Sequence, residues 1–219
     1  MKWIYLAVGV VLYCQILVLT DITPHHSGDL VAVIAKESEV PSAVAGIILR
    51  NRLYDTMFEV VVFTIAIMGV KFLLANEKPP HQIYQLPDQP SIILARLGAT
   101  ITALVSVELA LKGHLSPGGG FAAGVAGGTA IGLVAITSSP QWMDKIYKRW
   151  NAALLEKLSV IGFIAISIVM FISYQFPTTA LAPLAGGLFI PLLNVIVALK
   201  VALGSWSAMI LFIRYRGLF

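Results

Sequence analysis

The sequence predicts an all-α, polytopic integral membrane protein with about six transmembrane helices. Two observations carry that expectation. Hydrophobic residues make up 58% of the chain and charged residues only 12%, with a mean hydropathy of +0.87. The apolar residues also gather into runs near the length needed to cross a bilayer, and the breaks between runs hold Pro, Gly and charge. A chain this apolar cannot hide its surface in one aqueous globule.

The first run, residues 3–19, follows Lys2. No small-x-small cleavage site follows it before Thr20-Asp21, so it is expected to stay as an anchor and not to act as a removed leader. Residues 21–55 are mixed, with short apolar stretches at 30–35 and 43–49 divided by Lys36, Glu37 and Glu39. Such stretches are too short to span and predict an interfacial or re-entrant helix. The further spans are expected at 58–75, 91–111, 121–137, 158–176 and 189–213. Residues 79–90 carry Pro79, Pro80, Pro87 and Pro90 and form a Pro-rich linker between two modules, 1–78 and 91–219.

Composition also excludes several function classes. Cys14 is the single cysteine and lies inside an apolar run, so there is no disulfide framework. His25, His26, His81 and His114 are scattered and offer no metal-ligand spacing. The net charge of +4 does not form a basic stripe with aromatics, which argues against nucleic acid. No cluster or haem ligands are present for redox chemistry. With six spans, one side holds Lys2, Lys78, Lys145, Lys148, Arg149, Lys157, Arg214 and Arg216, against Lys36, Arg50, Arg52 and Lys112 on the other. This asymmetry places both termini in the cytoplasm.

Charges inside the spans are the candidate functional groups. A charge at the bilayer centre costs roughly 2.5–3.5 kcal/mol on insertion scales, so it usually faces protein or water. Arg52, Asp55 and Glu59 share one narrow helical face. Glu108 and Lys112 are one turn apart, and Lys200 lies near the middle of the last span, about 15 Å from either interface. For each, a plain structural reading stands beside the functional one. Asp55 either caps the second span or serves an ion, and Glu59 either favours the helix dipole or serves an ion. Glu108 either pairs locally with Lys112 or lines a path. His114 is either a polar loop residue or a proton carrier. Arg52, Lys71, Arg96 and Lys112 read as interface anchors. Lys200 requires a carboxylate partner or a lowered pKa.

Between the third and fourth spans lies Lys112-Gly-His-Leu-Ser-Pro-Gly-Gly-Gly-Phe121. Pro117 is expected to stop the incoming helix, and Gly118, Gly119 and Gly120 to resist a regular helix. The longer string from Gly113 to Gly124 resembles the signature of the B subunit of Mrp/Mnh-type Na⁺/H⁺ antiporters. That domain also occurs in the antiporter-like arm of membrane-bound hydrogenases and related respiratory complexes. The resemblance continues at Pro191-Leu-Leu-Asn-Val-Ile-Val-Ala-Leu-Lys-Val-Ala-Leu-Gly204. This chain carries Ala198 where the family more often has Gly, and Ala122-Ala123 where Gln-Gly is common. The stretch from Ala45 to Val70 resembles the C-terminal region of the antiporter A subunit and the E subunit of membrane-bound hydrogenase. Asp55, Thr56 and Glu59 match there, with Met57-Phe58 in place of Leu-Gly.

The resemblance implies an A-subunit-C-terminal or E-like module fused to a B-like module. The implied role is a non-redox membrane subunit of a multi-subunit cation/proton antiporter, within a respiratory complex such as membrane-bound hydrogenase. Its implied partners are other antiporter-like subunits, a hydrogenase-like redox arm and the lipid bilayer, with no cofactor of its own and Na⁺ or H⁺ as cargo. The candidate ion-path residues are then Glu59, Asp55, Glu108, Lys200 and His114. The structural hinge is Pro117, Gly118, Gly119, Gly120 and Gly124. The alternative is a purely structural subunit whose charges hold neighbours in register. A membrane-embedded enzyme ranks last, since no nucleophile–base pair, metal set or phosphate loop is present. The discriminating observation is whether Glu59, Glu108 and Lys200 face one cavity.

Overall fold

The computed structural model of the chain describes residues 27–78, 88–175 and 189–216. The chain divides into two compact units, Met1–Val33 and Ile34–Phe219. The described part of the first unit is the opening of helix α1 (Ser27–Ser38), with Leu30, Val31 and Val33 exposed. In the second unit, the end of α1 leads to α2 (Ala43–Gly46) and a π-helical turn (Ile47–Asn51). Six further helices follow: α3 (Leu53–Leu74), α4 (Gln89–Lys112), α5 (Gly119–Ile136), α6 (Pro140–Arg149), α7 (Ala152–Gln175) and α8 (Phe189–Arg216). Among the described residues five helices, α3, α4, α5, α7 and α8, are long and apolar enough to cross a membrane. The expected span at 3–19, Cys14, His25, His26, His81, most of the linker and the 177–187 loop lie outside the described residues.

Local signals explain where these helices begin. Asp88 caps α4, accepting from Ser91 N at 3.1 Å, and Pro90 sits in the first turn, where its missing N–H costs nothing. Hydrogen bonding from the Ser91 side chain, and then from its backbone N–H, holds the Asp88 carboxyl below its usual range. Ser139 and Pro140 open α6 in the same way, and Lys148 and Arg149 close it against the helix dipole. This short helix is amphipathic, with Met143 buried and Trp142 exposed. Its basic residues fall between the spans expected at 121–137 and 158–176, and ten residues are well short of a span. Helices also start before the apolar runs do. α3 begins at Leu53, not 58, and α7 at Ala152, not 158. Charged residues near a span end are readily taken into the helix, since backbone hydrogen bonding in a membrane favours continuing it.

Packing gives the bundle two ends. α4 and α5 are antiparallel, with Ser106 Oγ donating to Ala123 O at 2.7 Å and Gly98 facing Leu133. α5 and α8 run parallel, since Gly120, Gly124, Gly128 and Gly132 meet Val197, Val201, Ser205 and Met209 in turn. One end, the hinge end, holds the α4–α5 connection and the starts of α3 and α8. The other holds α6. The main core joins Val60, Phe163, Met170, Leu193, Val197 and Val201, and Val40, Ala45 and Leu49 pack into it. The 34–51 segment therefore belongs to the bundle core at the hinge end. A second cluster beneath α6 is built on Trp206, Met143, Ala135 and Ala152. The outward faces are apolar, with Phe58, Phe72 and Leu94 exposed, as suits contact with lipid or neighbouring helices.

Candidate functional site

The hinge is built by glycines and one asparagine. α4 ends at Lys112, five residues before Pro117, so Pro117 lies within the turn and does not stop the helix. What closes α4 is Asn194 of α8, whose Nδ2 donates to Leu109 O at 3.1 Å and Ala110 O at 2.7 Å. These terminal carbonyls have no partner within their own helix, so a side chain from another span satisfies them. Asn194 sits so close that a Cβ at Gly113 would strike its amide. The expectation that three glycines resist helix is corrected for two of them, since Gly119 and Gly120 form the first turn of α5. Gly119 has φ +78, a backbone conformation that favours glycine. A Cβ at Gly120 would lie 2.5 Å from Asn194 O, and one at Gly124 would collide with Val201.

Beside this hinge is a cavity of about 540 Å³, lined in part by Arg52, Asp55, Glu59, Gly119, Asn194 and Val197. Asp55 is paired with Arg52 three residues earlier, and it does not cap α3, which begins at Leu53 without a side-chain cap. Glu59 is exposed in the cavity wall and makes no hydrogen bond or ion pair among the described residues. His114 is half-buried; its carbonyl accepts from Ser42 N at 3.2 Å, and its Nδ1 has no partner among the described residues. Glu108 is elsewhere. Its side chain is 63% exposed on the outward face of α4 and accepts from Lys112 at 3.0 Å.

Lys200 is the most deeply buried charge, at 0% exposure. Its Nζ donates to Glu156 Oε1 at 2.9 Å, and Glu156, of α7, is itself nearly enclosed. Lys71 of α3 approaches the other carboxylate oxygen at 3.8 Å, and the Phe63 ring centroid lies 4.9 Å from the Lys200 ammonium. Gly204 leaves the space. A Cβ there would fall 2.6 Å from Phe63 and within 3.4 Å of both charged groups. Three spans thus converge on one ion pair, and Lys71, half-exposed, connects it to the α6 end. Glu156 was missed by sequence reading because it precedes the apolar run at 158–176. Its signal was the proximity of a carboxylate to a span facing a lysine that lacked a partner.

The candidates therefore do not share one cavity. Asp55 and Glu59 come together with the hinge, Glu108 faces away, and Lys200 lies deeper. The hinge cavity and the buried Lys200 pair are nonetheless adjacent. Val197 lines the cavity three residues before Lys200, and Phe63, against the ammonium, is four residues after Glu59. About one helical turn, ~5 Å, separates the cavity floor from the buried pair. Asn194 and the four-residue glycine spacing at 120, 124, 128 and 132 were also missed, although that spacing is itself a sequence signal for close helix contact. Among the described residues no group of three or more His, Cys, Asp or Glu side chains is placed to hold a metal ion.

Comparison with known proteins adds three findings. A family model described as a domain related to the MnhB subunit of Na⁺/H⁺ antiporter matches residues 90–207. An uncharacterized protein of Methanocaldococcus jannaschii, MJ1307, is 28% identical, over 77% of this chain and 76% of that protein. A chain in the solved structure of the membrane-bound sulfane sulfur reductase, an archaeal respiratory membrane complex, superposes with a TM-score of 0.68 at 21% identity, covering 97% of both chains. That last likeness is one of fold.

Proposed function

We propose, since the chain belongs to the family of domains related to the MnhB subunit of Na⁺/H⁺ antiporters, that it works as a membrane subunit of a multi-subunit cation/proton antiporter module and contributes to ion translocation. In this reading the module sits in the cytoplasmic membrane, with both termini on the cytoplasmic side. It operates within a respiratory complex of the membrane-bound hydrogenase or sulfur reductase kind, beside other antiporter-like subunits and a redox arm. Residues 1–78 form its E-like module, and redox chemistry belongs to the partners.

The observation that carries this is the Lys200–Glu156 pair, buried across two spans one turn below a cavity that holds Glu59, which has no partner among the described residues. A cation or proton entering at the hinge end meets the Glu59 carboxylate first. Its charge is felt by the Lys200 ammonium, because the apolar side chains of Val197 and Phe63 next to it screen little. Glu156 and then Lys71 supply further stations toward the α6 end. A chain of alternating charges across spans is costly to keep and suits transfer of charge between two sides.

The test is translocation in vesicles reconstituted with the parent complex. Glu59→Gln keeps shape and removes the titrating charge, and no described partner depends on it. It is expected to assemble normally and lose Na⁺ or proton translocation by ~10-fold or more. Glu108→Gln, on the outward face, is expected to stay near the parental rate. Parental rates for Glu59→Gln would instead favour the purely structural reading. That reading draws support from the glycine seam between α5 and α8, which packs this chain's own spans together without any charge.

A further inference from the structure

Away from the cavity and the buried pair, a groove of about 1020 Å³ runs along the bundle at the α6 end, between α4, α5 and α6. Its α4 wall extends from Arg96 to Val107. Eleven residues at ~1.5 Å each make ~16 Å, close to half of a ~30 Å hydrocarbon core. The deep part is apolar, with Leu104, Val107 and Ile131. The mouth is polar, with Arg96, Ser138 and Ser139 beside the start of α6.

Two donors in this groove lack an acceptor among the described residues. Arg96 is exposed, and its guanidinium makes no hydrogen bond or ion pair among the described residues. Trp206 is 4% exposed, and its Nε1–H is buried with no partner among the described residues. A buried donor left unsatisfied carries its full desolvation cost, so an acceptor from outside the described residues is called for. The opening turn of α6 adds N–H groups at the mouth, and Lys145 and Arg149 on α6 add positive charge. The acidic group nearby, Asp144, is already held by Lys148 and Arg214. A free inorganic anion satisfies the mouth but leaves the apolar wall bare. An apolar helix fills the wall but supplies no acceptor for Arg96 or Trp206. A lipid with an anionic headgroup, oxygen-rich linkages and leaflet-length chains matches both.

We propose that this groove is a binding site for one anionic phospholipid of the surrounding bilayer. Its headgroup lies at Arg96 and the start of α6, its chains run along α4 and α5, and a linkage oxygen accepts from Trp206. This stands apart from ion translocation and needs only that the bundle sit in a membrane.

The test is native mass spectrometry of the intact complex in detergent with equal amounts of phosphatidylglycerol and phosphatidylcholine, alongside a photo-crosslinking residue at Ala103. Phosphatidylglycerol is expected to be retained in preference to phosphatidylcholine. Arg96→Gln is expected to cut that preference by roughly five-fold, the worth of one basic residue at an anionic surface, while Arg96→Lys preserves it. Arg96 is exposed, so neither change disturbs packing. The crosslink is expected to carry a lipid mass. Equal retention of the two lipids, a preference indifferent to Arg96→Gln, or a crosslink into a neighbouring subunit would each overturn the proposal.

Discussion

The hinge rim and the interior of the bundle handle charge in opposite ways. At the hinge end Arg52, just before α3, pairs with Asp55 in its first turn, with side chains 65% and 31% exposed. Glu108 and Lys112 do the same on α4. In the interior Lys200 and Glu156 pair between two helices, at 0% and 7% exposure. The chemistry of the pairs is alike, and their surroundings are not. An exposed pair trades one hydration shell for another and gains little. A buried pair has given up water already, so each partner depends on the other. The difference teaches that a charge between membrane spans is read by its partner's helix, and not by its own position along the sequence.

Breaking the buried pair is expected to have the largest effect. Lys200→Met with Glu156 intact leaves a carboxylate enclosed, with only Lys71 at 3.8 Å to compensate among the described residues. The expected loss is about 3–5 kcal/mol, seen as lower complex yield and earlier thermal unfolding. The double variant Lys200→Met with Glu156→Met is expected to recover much of that loss. A double variant as unstable as the single one would show that the pair is not the unit.

Glycines sharpen the comparison at intermediate size. Gly120→Ala puts a Cβ 2.5 Å from Asn194 O and 2.8 Å from Val197 Cβ, and Gly124→Ala meets Val201. Overpacking of this kind costs about 1–3 kcal/mol. Gly69 and Gly162 have nothing within 4 Å of an added Cβ. Alanine there is expected to be neutral or to stabilise by up to ~1 kcal/mol. Thermal unfolding of the four variants separates seam from open face; an equal response of all four would sink the distinction.

The smallest effect is expected from an exposed pair. Glu108→Gln removes the partner of Lys112 on an outward face, for a change of ~0.3–0.5 kcal/mol at most. Measured stability should fall within that range and shrink further as salt rises. A loss comparable to that of Lys200→Met would mean that Glu108 is covered in the assembled complex.

The sequence by itself determined the fold class and the spans from 58 onward, because hydrocarbon demands long apolar runs with satisfied backbones and little else. It also pointed to the Gly113–Gly124 string, and to Lys200 as a charge that needs a partner. Asp55 and Glu59 were legible as one face because 3.6-residue periodicity is a property of a single helix. Only the tertiary structure decided that Glu156 is the partner of Lys200, that Asn194 and not Pro117 closes α4, and that Glu108 turns away from the cavity. Each of these depends on how one helix is set against another: 44 residues separate Lys200 from Glu156, and 85 separate Asn194 from Leu109. Periodicity within a helix carries no record of that register, which is set where backbones come close enough for glycines to be required.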